Sequence, residues 1–528
     1  MSETFDVVVA GGGHNALVAA AYLTRAGYEC CVLDARPIMG GDTATEELTL
    51  PGFLHDTCST AHNLIQASPT LRDDELQLGS YGLEYVHPDP VVHIPFPDGT
   101  WLTQWRSLDR TCDEFAKFSR RDADAFRRMI EDYDAAKGAF GAYRYTPIGW
   151  GPSLQERLGE LPQGHRWLRR VAESAWEVIA REFEDPHTRA FVLWLAFMTL
   201  QPPENAGTGW LAYSLPYGRQ QHSWTLPKGG SGELPAALSR VIQEGGGTLL
   251  PGRRVTEFVL ESGRCTGVQT ENGERFFARR AVLSSIHVAH LPQLAAPQAW
   301  GEDFLAGIDE WRPGVSMFVT HYATTEPPRF AVDSGTVEAV ASGTADSVDR
   351  LLRVGWDVRR GAVAVDEPPL LVVCPTVADP SRAPEGQHTL KIIGFHPYEL
   401  ADGGPERWED VKDDVSLANL EHLRRYAPNL SDGTILAELV KSPVDLEQLN
   451  EHNWRGSCHG GEMSPAQSGG LRPVPGWADH RLPIAGLYQT GSTTHPGASV
   501  SAGPGRNAAA VMLKDFGTSI EEVVARGR

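Results

Sequence analysis

FDVVVAGGGHNALVAAAYLTRAG, residues 5–27, is the stretch whose reading decides the fold. Phe5–Ala10 is an apolar run broken only by Asp6 near its start, the pattern of a parallel strand buried on both faces. It enters a G-x-G-x-x-A turn, with Gly11, Gly13 and Ala16 at the small positions and His14 and Asn15 between them, followed by an alanine-rich helix that closes at Gly27. Gly11 allows the tight turn, Gly13 lets backbone approach a pyrophosphate, and Ala16 lets the helix pack close to the strand. The helix N-terminal N–H groups then point at the phosphates. A second strand, Glu29–Leu33, ends in Asp34, about 20 residues beyond the glycines, where a carboxylate accepts hydrogen bonds from an adenosine ribose. An acid here disfavours a ribose 2′-phosphate. A glycine trio alone is common; strand, glycines, helix, strand and acid in register specify an α/β dinucleotide-binding unit.

Working outward, Ala35 and Arg36 lead into Gly40-Gly41. This basic-x-x-x-Gly-Gly turn resembles the FAD-specific continuation of amine oxidases and carotenoid desaturases, where it helps to hold the pyrophosphate. At the other end of the chain, GLYQTGSTTHPGASVSAGPGRNAAAVML (486–513) reads as a strand ending at Gly491, a loop through His495, Gly497 and Ala498, and a helix beginning near Gly505. A helix start aimed at a flavin pyrimidine stabilises negative charge there through its dipole.

The two ends together resemble the phytoene desaturase-like flavoproteins, in particular the branch called pyridine nucleotide-disulphide oxidoreductase domain-containing protein two. The matching pieces are GGGHNALVAAAYL, the turn from Asp34 to Gly41, LPKGGSGELPAAL (226–238), THPG and GPGRNAA. Asp34 stands where the family more often has Glu, and Ala16 where it more often has Gly. The resemblance implies an α/β glutathione-reductase-like FAD-binding Rossmann fold, with a discontinuous FAD domain and a mixed α+β substrate or cap region. It also implies noncovalent FAD, with Val255 against the adenine.

On that reading the FAD domain comprises 1–90, 223–300 and 446–528. Residues 91–222 form a mainly helical cap, in which Phe115, Phe118, Phe126, Met129, Ile130 and Tyr133 recur at helical spacing. Residues 301–445 form a sheet-containing substrate region, with strands near Ser316–His321, Leu370–Val373 and Thr389–Phe395. Eight of the fourteen tryptophans fall between 101 and 224. They read first as core, and second as the wall of an apolar substrate pocket.

Composition limits the partners. With 47 basic and 68 acidic residues, the net charge of −21 repels a nucleic-acid backbone. The longest apolar run, Ala190–Leu200, is shorter than the ~20 residues of a membrane span, which leaves room only for peripheral membrane contact. Seven scattered cysteines without a C-x-x-C, and an opening without a basic-then-apolar leader, set the expectation of a reducing cytoplasm, no metal and no disulfide framework.

Flavin chemistry leaves the protein mainly to orient and tune. His495, on the loop expected to pass the flavin, and His62 are the catalytic candidates. Nothing around Cys458 resembles a flavin-attachment site. The expected activity is removal of hydride equivalents from a mainly apolar small molecule by a dehydrogenase, desaturase or oxidase, with electrons passing to oxygen, quinone or another diffusible acceptor. A flavin amine oxidase, a non-redox isomerase and a non-catalytic binding protein are the alternatives. The other early glycine cluster, Lys228–Gly232, follows a short segment ending in proline, so no second dinucleotide unit is expected for NAD(P)H.

Overall fold

The computed structural model describes residues 2–527. Ser2–Ala10 lies inside a seven-stranded sheet, parallel to Cys30–Leu33 on one side and to Arg275–Ser284 on the other. Thr248–Leu250 continues the parallel part beyond Cys30–Leu33. Leu487–Gln489, from the far end of the chain, pairs in parallel with the last residues of Arg275–Ser284. Two antiparallel strands, Arg264–Thr270 and Val255–Glu261, complete the sheet.

Val7–Ala10 and Cys30–Leu33 are fully buried because both faces are covered. One face packs under the helices His14–Arg25, Glu233–Glu244 and Gly503–Asp515. The other packs against Val288, Leu291, Trp300 and Phe304. The crossing of the first and last of those helices requires Gly505: a Cβ there would lie 2.2 Å from the Asn15 carbonyl oxygen and 2.9 Å from Val18 Cβ. This contact joins the two ends of the chain at the first glycine turn.

A second seven-stranded sheet runs in the order Ile435–Lys441, Ser316–Thr324, His388–His396, Leu370–Val373, Ala341–Thr344, Val92–Pro95 and Trp101–Gln104. Its last two strands lie within the stretch expected to be mainly helical. They form an antiparallel hairpin around Phe96–Thr100 that extends this sheet instead.

The aromatic stripe of that stretch also divides differently. It spans two helices, Leu108–Ala116 and Arg120–Arg144, separated where the Ser119 hydroxyl accepts from Asp122 N and caps the second. Phe115 and Phe126 stack across the break with ring centroids 4.4 Å apart, and Phe118 falls in the break itself. The apolar run beginning at Ala190 lies in the buried helix Pro186–Phe197, and no described helix is long and apolar enough to cross a membrane.

Candidate active site

A cavity of about 320 Å³ lies between the first sheet and the second, and the glycine turn opens into one end of it. Gly11 has φ +100°, and a Cβ on it would lie 2.3 Å from Ser285 Oγ, so the turn needs glycine for conformation and for space. Gly13 differs. Its φ is an ordinary −63°, and a Cβ there would meet nothing within 4 Å, because that direction is open. Gly13 begins the helix His14–Arg25, whose start no side chain caps. Its first N–H groups therefore remain available to an anion.

Asp34 is fixed by backbone. Its Oδ2 accepts from Gly12 N at 2.6 Å and its Oδ1 from Arg36 N at 2.7 Å, leaving lone pairs for further donors. Burial raises its pKa, and those same two N–H bonds oppose the rise. Arg36 donates to the Gly41 carbonyl at 2.9 Å and pairs with Glu46 at 2.7 Å, so it braces the turn. Gly40 N donates to Gly12 O at 2.9 Å, tying the two glycine turns together. Ala35, Gly41 and Val255 line the same end of the cavity, and Gly40, Asn15 and Ala16 pack behind it. His14 lines it as well, with a buried Nε2 that has no partner and a pKa lowered to about 4 by burial.

At the C-terminal segment, Gly491, Ser492, Ser499 and Val500 line the cavity. Gly497 and Ala498 do not; a Cβ on Gly497 would lie 2.3 Å from Met463 Cε, so this glycine closes the loop against its own support. Neither catalytic candidate borders the cavity. His495 Nε2 hydrogen-bonds the Tyr143 carbonyl at 3.0 Å, and His62 Nδ1 hydrogen-bonds the Tyr85 hydroxyl at 3.2 Å. Burial lowers both to about 3, which keeps them neutral. The histidines that do border it, besides His14, are His287, His290, His452 and His459. Burial brings His452 and His459 down to about 4, and the His452 Nε2 meets the Ser492 hydroxyl.

The opposite end is apolar, with Met198 and Leu200 beyond the helix Pro186–Phe197 and Met317, Leu371, Ile393 and Phe395 from the second sheet. Facing positions recur with the strand period: Met317 is paired with Phe395, and Leu371 with Ile393. None of the eight clustered tryptophans borders the cavity; Trp167, Trp194 and Trp224 are core. Cys458 does border it, with its thiol 3.6 Å from Met317 Sδ.

Behind this wall a buried charged cluster holds the segment Asp56–Ser59. Lys391 Nζ donates to the carbonyls of Asp56 at 2.8 Å and Cys58 at 3.0 Å, and Asp56 pairs with Arg382 at 2.9 Å. Burial alone would raise the Asp56 pKa, but the Arg382 and Lys391 charges outweigh it and hold the carboxyl below the usual range. Asp56 Oδ1 also accepts from Ser231 N at 2.8 Å, Asp379 accepts from Gly229 N at 2.7 Å, and Thr45 Oγ1 accepts from Gly232 N at 2.9 Å. The amides of Gly229, Ser231 and Gly232 are thus bound to side chains, and that of Gly230 to the Pro227 carbonyl. Among the described residues no cluster of His, Cys, Asp and Glu could hold a metal ion.

Residues 17–513 match the family described as flavin containing amine oxidoreductase. The chain belongs to this family. It is an FAD-dependent oxidoreductase. The features at the glycine turn fit that cofactor: an open direction at Gly13, an uncapped helix start, a backbone-oriented Asp34 and an unpartnered His14 Nε2.

The flavoenzyme is 29% identical to pyridine nucleotide-disulfide oxidoreductase domain-containing protein 2 of Mus musculus, over 98% of this chain and 94% of that protein. It is 26% identical to a limonene dehydrogenase chain of Castellaniella defragrans, over 98% and 97% of the two chains. With the lycopene-forming phytoene desaturase of Pseudescherichia vulneris it shares 27% identity, over 96% and 99%. In fold it is similar to cyclohexylamine oxidase from Brevibacterium oxydans, with a TM-score of 0.57 at 16% identity over 97% and 99%. These relatives agree with the phytoene desaturase-like resemblance and with the glutathione-reductase-like α/β fold.

Proposed function

We propose that the flavoenzyme dehydrogenates a mainly apolar small molecule held at the end of the cavity walled by Met198, Leu200, Met317, Leu371, Ile393 and Phe395. That apolar wall is the observation that carries the reading. Noncovalent FAD would be held by Asp34, Ala35 and Val255 at the adenosine and by Gly11, Gly13, His14 and the helix start at the pyrophosphate. Arg36, Gly40 and Gly41 would brace that turn from behind. Gly491, Ser492, Ser499 and Val500 would bound the cofactor at the C-terminal segment, with Gly497, Ala498 and His495 shaping the loop. When bound, FAD supplies a two-electron acceptor.

The chain's own residues exclude water and orient. The apolar side chains desolvate the substrate, and His14, His452 and His459, with pKa values near 4, stay neutral at pH 7. The FAD-binding division is 1–90, 223–300 and 446–528, with 91–222 and 301–445 supplying the substrate side. The limonene dehydrogenase and the phytoene desaturase, by name, act on apolar compounds, which favours this reading over an amine substrate. The amides at Gly229, Ser231 and Gly232 are engaged by side chains, which argues for oxygen, a quinone or another diffusible acceptor rather than NAD(P)H.

The test is anaerobic: purified enzyme is mixed with terpenoid hydrocarbons and alcohols, long-chain acids, small amines and sugars, and absorbance near the flavin maximum is followed. Bleaching by the apolar compounds is expected. Bleaching by small charged amines or sugars alone would replace the dehydrogenase reading with the oxidase one.

A further inference from the structure

Four arginines line the cavity, and three of them are neutralised by acids. Arg36 pairs with Glu46 at 2.7 Å, Arg253 with Glu274 at 2.6 Å and Arg254 with Glu451 at 2.6 Å. Arg219 has no carboxylate partner among the described residues, although it is only 8% exposed. An isolated buried charge is unfavourable by several kcal/mol unless something compensates it. Arg219 has partial compensation only. Its guanidinium lies 3.6 Å over the Trp224 ring, and its Nη1 donates to Asn63 Oδ1. Burial draws its pKa down to about 9, so it remains a cation at neutral pH.

Both supports are themselves fixed. Trp224 Nε1 donates to the Thr60 carbonyl at 2.8 Å, and Asn63 Nδ2 donates to the Ser223 carbonyl at 2.6 Å, which turns the Asn63 oxygen toward the arginine. The guanidinium edge formed by Nε and Nη2 has no acceptor among the described residues, neither atom is fully sealed from solvent, and the residue borders the cavity.

Arg472 shows what a purely structural buried arginine looks like in this molecule. It too is buried without an acid, but its N–H groups reach the carbonyls of Ser492, Glu462 and Gln467, and it does not border the cavity. Arg219 borders the cavity and leaves an edge free. Its helix, Leu211–His222, packs on Pro186–Phe197, the helix that leads into Met198 and Leu200. The cation and the Met198 and Leu200 part of the apolar wall are therefore positioned by neighbouring helices of the substrate side.

We propose that Arg219 is a specificity-determining residue that receives the carboxylate head of an otherwise apolar substrate. The inference rests on the substrate pocket proposed above and narrows its ligand to an amphipathic acid. The free Nε–Nη2 edge matches the two oxygens of a carboxylate. A single cation balances a monoanion, and among the described residues no lysine lines the cavity to balance a phosphate dianion.

The test uses three probes of equal chain length, decanoate, decan-1-ol and decyl phosphate, titrated into the flavin-loaded enzyme. Tryptophan fluorescence, to which Trp224 contributes from beneath the guanidinium, and the visible flavin spectrum are read together. The wild type is expected to bind decanoate at least ~10-fold more tightly than decan-1-ol, about 1.4 kcal/mol. Arg219→Leu should erase the preference and Arg219→Lys should keep part of it, with flavin content and melting temperature tracked in both. Should Arg219→Leu fold poorly, Arg219→Gln gives the same reading with a polar side chain.

Equal binding of decanoate and decan-1-ol by the wild type would overturn the proposal, as would an undiminished preference in the leucine or glutamine variant. Tighter binding of decyl phosphate would replace the carboxylate with a phosphate head. Loss of flavin from a folded Arg219 variant would overturn it by assigning the residue to the cofactor. A colourless wild type would refute the FAD placement alone, since the fluorescence titration still reports on Arg219.

Discussion

Gly11-Gly12-Gly13 and Gly229-Gly230-Ser231-Gly232 are nearly the same in composition and opposite in what their backbones offer. In the first, Gly12 N is bound to the acid that ends the second strand, and the open direction at Gly13 and the uncapped helix start face a cavity. In the second, Asp379, Asp56 and Thr45 take the N–H groups of Gly229, Ser231 and Gly232. Glycine content makes a turn close and permissive. Whether the turn can hold a phosphate depends on which of its amides are still free.

The largest expected effect breaks this contrast at its strongest point. Gly13→Val fills the open direction beside the helix start and should yield colourless protein, read as the ratio of flavin to protein absorbance. Gly232→Ala, whose Cβ would lie 3.2 Å from Thr45 N, should keep full colour. Equal flavin retention by the two variants would erase the distinction between the clusters.

Asp56→Asn removes one charge of a buried pair that also anchors the second cluster. It should cost about 3–5 kcal/mol in urea unfolding. A loss of well under that would mean that the cluster is held by other contacts. Asp34→Ala should weaken FAD binding by roughly 1.5–3 kcal/mol while the fold persists, measured by equilibrium titration of the apoprotein. Unchanged affinity would separate Asp34 from the cofactor.

A smaller effect concerns pH. His495 titrates near 3 in the fold, against an ordinary value near 6.5 once unfolded. Between those values the unfolded chain binds a proton that the fold does not. Its contribution is therefore fully present above about pH 6.5 and is lost as pH falls toward 3. His495→Asn should flatten the fall in melting temperature over that window, and an unaltered slope would show that the loop histidine is not the buried neutral group described here. The smallest effect is expected from NADH and NADPH, which should not bleach the oxidised enzyme at a useful rate under anaerobic conditions. Rapid bleaching would show that the second cluster, or another surface, does receive a nicotinamide cofactor.

Much of this was legible in the sequence, and the legible part shares a physical basis. The strand Ser2–Ala10, the turn at Gly11, the acid at Asp34 and the helix beginning at Gly503 follow from strand periodicity, positive φ and close approach. All are decided within a few residues of chain. The strands Ser316–Thr324, Leu370–Val373 and His388–His396 were legible as strands for the same reason. Which face of them borders the cavity was not, because they are buried on both faces and show no polar alternation.

The sequence by itself determined that a dinucleotide-binding sheet is assembled from both ends of the chain, and which glycine turn follows its first buried parallel strand. Tertiary structure alone decided which histidines border the cavity, that none of the clustered tryptophans does, and that Arg219 lacks a countercharge where Arg36, Arg253 and Arg254 have one. The reason is range. A glycine's conformation is set by its neighbours in the chain, whereas a buried charge is defined by every group that folding brings, or fails to bring, within a few ångströms of it.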